Sequence, residues 1–310
     1  SKDSKIAKEI QRDKWSSNIV IQKLGLPLPA WEIIDSFTEI ENVWKHFEKP
    51  VVIKPTGLTG GSGVSVGITT IEEAKEAYKY AKEMIDSKLR KDWQTKVMMQ
   101  EQVSGEDYRL LVIGGHLEVV TKRIPAFVIG NGKDTITKLI EDTNKDPRRD
   151  ITSPAHTLKP IEIDSPLKAY LKEQGLDLSS IPQKEQKITV RKVASMSQGG
   201  ITEDFTDKVG PEIKIIVESI AASIHAFALG VDIMCKDISK SLTTDNGAIL
   251  EINTMPEAYL NLFPVIGTDR GYVADTYIKK LLVNNKTKKI VVIGHSKYDI
   301  PTTLKQKKVF

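Results

Sequence analysis

Cysteine is nearly absent from this 310-residue chain, and the single Cys235 excludes an internal disulfide framework and fits a reducing compartment. No apolar run reaches the roughly 18 residues of a membrane-spanning helix, and Ser1-Lys2-Asp3-Ser4-Lys5 has no apolar signal-peptide core. A cytoplasmic protein with no membrane partner is therefore expected. Histidine is sparse, and His46, His116, His156, His225 and His295 lie too far apart to read as a zinc set. Aromatic residues make up 6% of the chain and form no stripe with basic ones. Charge of one sign is also scarce outside the C-terminus. The formal net charge is +4, but seven lysines and one aspartate fall between Lys286 and Phe310, which leaves the preceding residues slightly acidic. That distribution predicts a solvated basic tail over 286–310 and no nucleic-acid partner.

What is present is an ordinary globular composition, 40% hydrophobic and 28% charged, long enough for one large or two medium domains. The most informative segment is Val51-Val52-Ile53-Lys54-Pro55 followed by a loop with glycines at 57, 60, 61 and 63, then Val64 to Ile68. The layout describes a flap hinged between two strands with one cation, Lys54, at its base. Glycines at Gly60, Gly61 and Gly63, with Ser62 between them, let backbone N–H groups approach a polyphosphate closely. A plain glycine-rich hairpin fits the same residues, and both readings stay open on this segment alone.

The first 24 residues read as a helix ending at Gly25, with Pro27 and Pro29 beyond it. A strand is expected over Trp31–Ile34. Thr70 with Glu73 forms a capping box ahead of Ile71, Ala74, Tyr78, Ala81 and Ile85 at helical spacing, so a small lobe over 31–104 reads as a strand pair covered by a helix. Further strands are expected over 96–103, 109–113 and 117–121, the last two joined by Gly114-Gly115 as a hairpin. Residues 130–187 are polar and proline-punctuated, with short helices near 136–142 and 166–174, and read as an insertion in a larger lobe over 105–285. Pro211, Ile213, Val217, Ile220, Ile224, Phe227 and Gly230 suggest one long buried helix, followed by strands over 231–234 and 248–252.

Chemistry concentrates on that last strand pair. Glu251 and Asn253 lie two apart on one strand and so share a face, and Asp232 lies at the start of the other. Two carboxylates and an amide oxygen are hard donors of the kind magnesium accepts when it also holds phosphates. Three familiar nucleotide motifs fail. Gly60-Gly61-Ser62-Gly63-Val64 lacks the lysine and hydroxyl of a Walker A loop, position 66 is valine where Gly-x-Gly-x-x-Gly needs glycine, and no kinase His-Arg-Asp or Asp-Phe-Gly triplet occurs.

The order Lys54, glycine flap, Gln100-Glu101-Gln102-Val103-Ser104-Gly105-Glu106-Asp107, Asp232 and Glu251-x-Asn253 resembles the ATP-grasp superfamily. Asp107-Tyr108-Arg109, Lys122 to Ala126, Gly130 to Lys133, Asp146 to Arg149 and Ser197 to Gly200 are similar to the ATP-grasp domain of cyanophycin synthetase and related amino-acid and peptide ligases. The resemblance runs from about Asp13 to Leu282. It implies an α+β fold of two α+β lobes clamping ATP between antiparallel sheets. It further implies that Lys14 and Lys54 contact the phosphates under the flap. The backbone of Glu101, Gln102 and Val103 would hold the adenine edge, and Asp107 the ribose hydroxyls. Asp232, Glu251 and Asn253 would carry Mg2+, with Arg123 and Arg191 as the catalytic cations.

The implied reaction joins a small-molecule or peptide carboxylate to an amine through an acyl phosphate, at the expense of ATP. A kinase or acyl-phosphate transferase on the same fold, or a non-catalytic ATP-binding subunit, is the alternative, and a homo-oligomer stays open. Two departures from the relatives stand out. Gln100 replaces a common glutamate ahead of the adenine linker, and Met255 to Asn261 replaces a Pro-Gly and arginine run on the acceptor side. Neither the N-terminal domain of many relatives nor the Mur-ligase-like half of cyanophycin synthetase is represented in these residues, so a two-step polymerase is not expected of them.

Overall fold

Residues 31–101 build a four-stranded antiparallel sheet rather than a strand pair, with the two central strands buried on both faces. The description rests on a computed structural model and covers residues 3–10, 14–58, 60–88, 95–153, 156–254, 256 and 259–282. In chain order the elements are α1 (Lys5–Ile10), α2 (Lys14–Lys23), β1 (Trp31–Ile34), α3 (Ile40–Trp44), β2 (Val51–Pro55), β3 (Ser65–Ile68), α4 (Ile71–Lys88), β4 (Val97–Glu101), β5 (Glu106–Ile113), β6 (His116–Ile124) and β7 (Phe127–Ile129). They continue with α5 (Ile136–Asn144), α6 (Ser165–Glu173), β8 (Lys187–Thr189), β9 (Ile201–Asp204), α7 (Pro211–Ser223), β10 (Ala228–Cys235), β11 (Gly247–Asn253), α8 (Tyr259–Leu262) and α9 (Tyr272–Leu282).

The small lobe orders its strands β1-β4-β2-β3, so the expected pair β2–β3 is flanked by β4 and β1, whose pairings are distant in sequence. Its core is Val51, Ile53, Val97 and Met99 from the sheet against Ala74, Ala77, Ala81 and Ile85 of α4. The capping box forms as expected: Glu73 N–H donates to Thr70 Oγ1 and Thr70 N–H donates to Glu73 Oε2. The large lobe is a five-stranded sheet, β11-β10-β5-β6-β9, with α7 packed on Leu110, Val112, Leu229 and Val231. The segment 127–190 holds its own core of Val128, Ile136, Ile140, Leu167 and Leu171, with β7 paired to β8.

Two expectations change. The long helix ends at Ser223, because Ile224 caps it and His225 turns left-handed at φ 50°. Ala226 N–H then bonds to the Ala221 carbonyl and His225 N–H to that of Ala222, a Schellman closure in which histidine takes the place usually given to glycine. Phe227 follows outside the helix, and Gly230 lies inside β10, where a Cβ would meet Arg109 Nη1 at 2.8 Å. Asp232 therefore sits mid-strand and not at a strand start. The lead-in helix is described as α1 and α2, and residues 11–13 between them lie outside the described residues, as does the expected tail 286–310. Among the described residues no helix is long and apolar enough to cross a membrane.

Candidate active site

Lys54 alternates away from Ile53 and Val51, so while they enter the α4 core it points to the opposite face of the small-lobe sheet. There it is buried and donates to Gln100 Oε1 at 2.6 Å. Desolvation dominates its acidity. Burial, with Lys14 adding repulsion, outweighs the pull of Glu251 and Asp232 and brings the ammonium down to about 8. A neutral amide partner does little to offset this, and the Gln100 Nε2 atom has no hydrogen-bond partner among the described residues.

The flap leaves β2 through Gly60, Gly61 and Gly63, all at positive φ. Gly63 tolerates nothing larger, since a Cβ would meet Pro55 Cγ at 2.7 Å. The Gly60 carbonyl accepts from Ser195 Oγ and Ser197 Oγ, each at 3.1 Å, which latches the flap to the large lobe. Ser62 accepts from Lys88 Nζ at 2.8 Å, and Gln102 Oε1 accepts the Gly67 N–H. In the segment joining the lobes, Glu101 and Gln102 donate their N–H groups to the carbonyls of Ala30 and Pro50, and Val103 follows half-buried.

On the large lobe, β5, β6 and β10 bring Asp107, Arg109, Arg123 and Asp232 together. The register sets Asp107 opposite Arg123 and Asp232 opposite Arg109. Arg123 Nε and Nη2 both donate to Asp107 Oδ1, at 3.0 and 2.6 Å, and Nη2 lies 3.1 Å from Asp232 Oδ2. Arg109 Nη2 donates to Asp232 Oδ2 at 3.1 Å, while its Nε touches Asp232 Oδ1 in an ion pair that is not aligned as a hydrogen bond. Burial alone would raise the Asp232 carboxyl, but Arg109 and then Arg123 outweigh it and hold it below the usual carboxylate range. Asp107 goes the other way, because burial exceeds the help from Arg123 and the neighbouring Asp232 charge adds to it.

A bulge completes the constellation. Asp232 pairs with Glu251 while the next residue, Ile233, pairs with Ile249, so Leu250 is the extra residue and the alternation is reset. Ile249 and Ile252 enter the core, and Glu251 and Asn253 turn to the face that carries Asp232. Glu251 Oε1 lies 3.6 Å from Lys14 Nζ, which also donates to the Leu58 carbonyl at the flap base at 2.5 Å. Among the described residues no group of three His, Cys, Asp or Glu side chains could hold a metal. The oxygen set that does exist, two facing carboxylates and the Asn253 amide, suits a hard divalent cation, and among the described residues no donor is aligned with the buried Asp232 Oδ1.

Arg191 lies elsewhere. It is 4% exposed and its guanidinium is held by Asp164, at 2.7 and 3.0 Å, and by the Glu162 carbonyl at 2.8 Å. With Gly60, Ser62, Lys88 and Ser197 it lines a half-open cleft of about 340 Å³ between flap, α4 and the 127–190 segment. Sequence reasoning gave no role to Arg109 and left Gln100 as a mere departure. The register that sets Arg109 opposite Asp232 and Gln100 beside Lys54 joins strands distant in sequence, so no local signal marked either residue.

A family profile described as phosphoribosylglycinamide synthetase, ATP-grasp (A) domain, matches residues 12–122. The chain is 36% identical over 270 residues to cyanophycin synthetase of Crocosphaera subtropica, covering 87% of this chain and 30% of that protein. It is 33% identical over 273 residues to the glutathione biosynthesis bifunctional protein GshAB of Clostridium perfringens, covering 87% and 34%. The crystal structure of a bifunctional glutathione synthetase from Pasteurella multocida superposes with a TM-score of 0.62 at 28% identity, covering 91% of this chain and 37% of that one. The chain thus spans about a third of the length of the relatives it matches. With its two α+β lobes, its flap and its facing acidic strands, the chain belongs to the ATP-grasp superfamily.

Proposed function

We propose that the chain is an ATP-dependent carboxylate–amine ligase that forms an amide bond through an acyl phosphate, with an amino acid or peptide as substrate. One observation carries the reading. Lys14, Lys54, Arg109 and Arg123 gather with Asp107, Asp232 and Glu251 where flap base, lead-in helix and large-lobe sheet meet. Four cations beside three carboxylates suit a polyphosphate held partly through a divalent ion. Relatives named for cyanophycin synthesis and glutathione biosynthesis support the same reaction type.

In this reading Lys14 and Lys54 hold phosphate oxygens, and Gly60, Gly61, Ser62 and Gly63 close over them. The backbone of Glu101, Gln102 and Val103 meets the adenine edge. Both Arg123 bonds to Asp107 go to Oδ1, so Oδ2 is the oxygen that meets the ribose hydroxyls. Asp232, Glu251 and Asn253 would hold Mg2+. When bound, magnesium supplies charge shielding on the phosphates and polarises the transferred group. The substrate carboxylate attacks the γ-phosphorus, ADP leaves, and the amine then displaces phosphate from the acyl carbon. Arg123, already at Asp232, is the cation placed to stabilise the phosphoryl charge, and Arg109 fixes Asp232 for it. Arg191 braces the cleft beside the flap, and contact with the phosphoryl group would require it to leave Asp164. The latched flap keeps water from the acyl phosphate.

Hydroxylamine trapping tests the acyl phosphate. With ATP, Mg2+ and a panel of amino acids and dipeptides, at least one carboxylate is expected to yield a hydroxamate. ADP formation with no hydroxamate from any carboxylate would contradict the reading.

A further inference from the structure

The buried face of α2 sets Ser17 and Asn18 beside the core residue Ile21, two polar side chains that a helix used only for packing would not need. Lys14, Ser17 and Asn18 lie three and four residues apart and so share one face. Ser17 is 1% exposed and Asn18 is fully buried. Each of the three reaches a different element. Lys14 N–H and Nζ donate to the Thr56 and Leu58 carbonyls at the flap base, and Asn18 Nδ2 contacts Met98 Sδ on the small-lobe sheet. Ser17 turns to the large lobe, where its Oγ accepts the Ile252 N–H at 3.0 Å.

That amide is the one between Glu251 and Asn253. β11 is an edge strand, and the Leu250 bulge breaks its regular alternation. Its outward N–H groups at Ile249 and Ile252 are taken by the Pro27 carbonyl and by Ser17. Ile252 points its side chain into the core, so its outward N–H is the backbone anchor lying between the two oxygen-bearing side chains.

We propose that Ser17 is a positioning residue for the divalent cation, fixing the Glu251–Asn253 backbone so that both oxygens face Asp232. The proposal rests on the magnesium reading given above. A hydrogen bond one step behind the ligands sets their orientation, and its loss lowers metal affinity without removing a ligand. The same contact makes metal binding depend on α2, the helix that also holds the flap base.

Mn2+ titration followed by electron paramagnetic resonance, in the presence of ADP, tests this without turnover. Ser17→Ala is expected to weaken Mn2+ binding about tenfold while leaving metal-free nucleotide affinity within about twofold. Asn18→Ala loosens the same helix from the other lobe and is expected to keep Mn2+ affinity within about twofold of wild type. Should Ser17→Ala not fold, Ser17→Cys, which leaves a weaker acceptor in place, is expected to weaken Mn2+ in the same direction. Wild-type Mn2+ affinity in the Ser17 variant, or an equal loss in Asn18→Ala, would overturn the proposal. A wild-type protein that binds ADP but no Mn2+ would instead remove the magnesium assignment beneath it.

Discussion

Asp232 and Glu251 face each other across the β10–β11 pair, yet they are held differently. Asp232 is buried between Arg109 and Arg123, whereas Glu251 is paired at 3.6 Å with Lys14. The difference predicts opposite consequences of removing each. Asp232→Ala takes the carboxylate away from Arg109, leaves Arg123 to Asp107 alone around a buried gap, and is expected to cost about 3–5 kcal/mol of stability, read by chemical denaturation. Glu251→Ala is expected to keep the fold within about 1 kcal/mol and to abolish metal-dependent turnover. Unchanged turnover in folded Glu251→Ala would remove it from the metal set.

Lys54 links nucleotide binding to protons. At pH 8 to 9 its ammonium, brought down to about 8 by burial, is partly neutral, and a polyphosphate beside it favours the charged form. Binding is therefore expected to take up protons in that window. Calorimetry in buffers of differing ionisation heat should show this in wild type and not in Lys54→Met.

The same lysine sets a pH dependence of stability. Its folded-state value lies below its ordinary 10.5, so the full penalty is present below pH 8, fades between 8 and 10.5, and is gone above. Wild-type stability is expected to rise relative to Lys54→Met across that window, by on the order of 3 kcal/mol. Parallel stability curves for the two proteins would contradict the assigned burial.

Gln100→Glu replaces the neutral partner of Lys54 with a carboxylate at hydrogen-bond distance. An opposite charge there holds the ammonium protonated, so the proton uptake on nucleotide binding is expected to vanish although Lys54 remains. Persistent uptake would show that another group carries it.

Gly63 sits at φ +72° against Pro55 and Met84, with no room for a methyl. Gly63→Ala is expected to destabilise the small lobe by at least about 1 kcal/mol, seen as a lowered Tm. An unchanged Tm would mean that the flap root is free to rearrange.

Much of this was legible because the chemistry sits on strands with short periods. The strand–glycine-loop layout put Lys54 at the flap base, and Glu-x-Asn put Glu251 and Asn253 on one side of their strand, where the structure has them. Local pattern failed where distant chain or unusual backbone decided. The pairing of β1 and β4 with β2 has no local signature. The spacing of Ile213, Val217, Ile220, Ile224 and Phe227 ran on past a helix that ends because His225 adopts a left-handed turn. Arg109, Gln100 and Ser17 gain meaning only from the neighbours that folding brings to them. Arg191 was paired with Arg123 by family resemblance, but its contacts belong to Asp164 and Glu162 in the cleft beside the flap.

The central claim is amide formation driven by ATP, and phosphate release coupled to mass spectrometry over pairs of amino acids and dipeptides tests it most directly. At least one acid–amine pair is expected to release phosphate only when both members and Mg2+ are present, with a product lighter than the pair by one water. Tight ATP binding with no pair releasing phosphate, or ADP formed with a stable phosphorylated acceptor and no amine requirement, would contradict it.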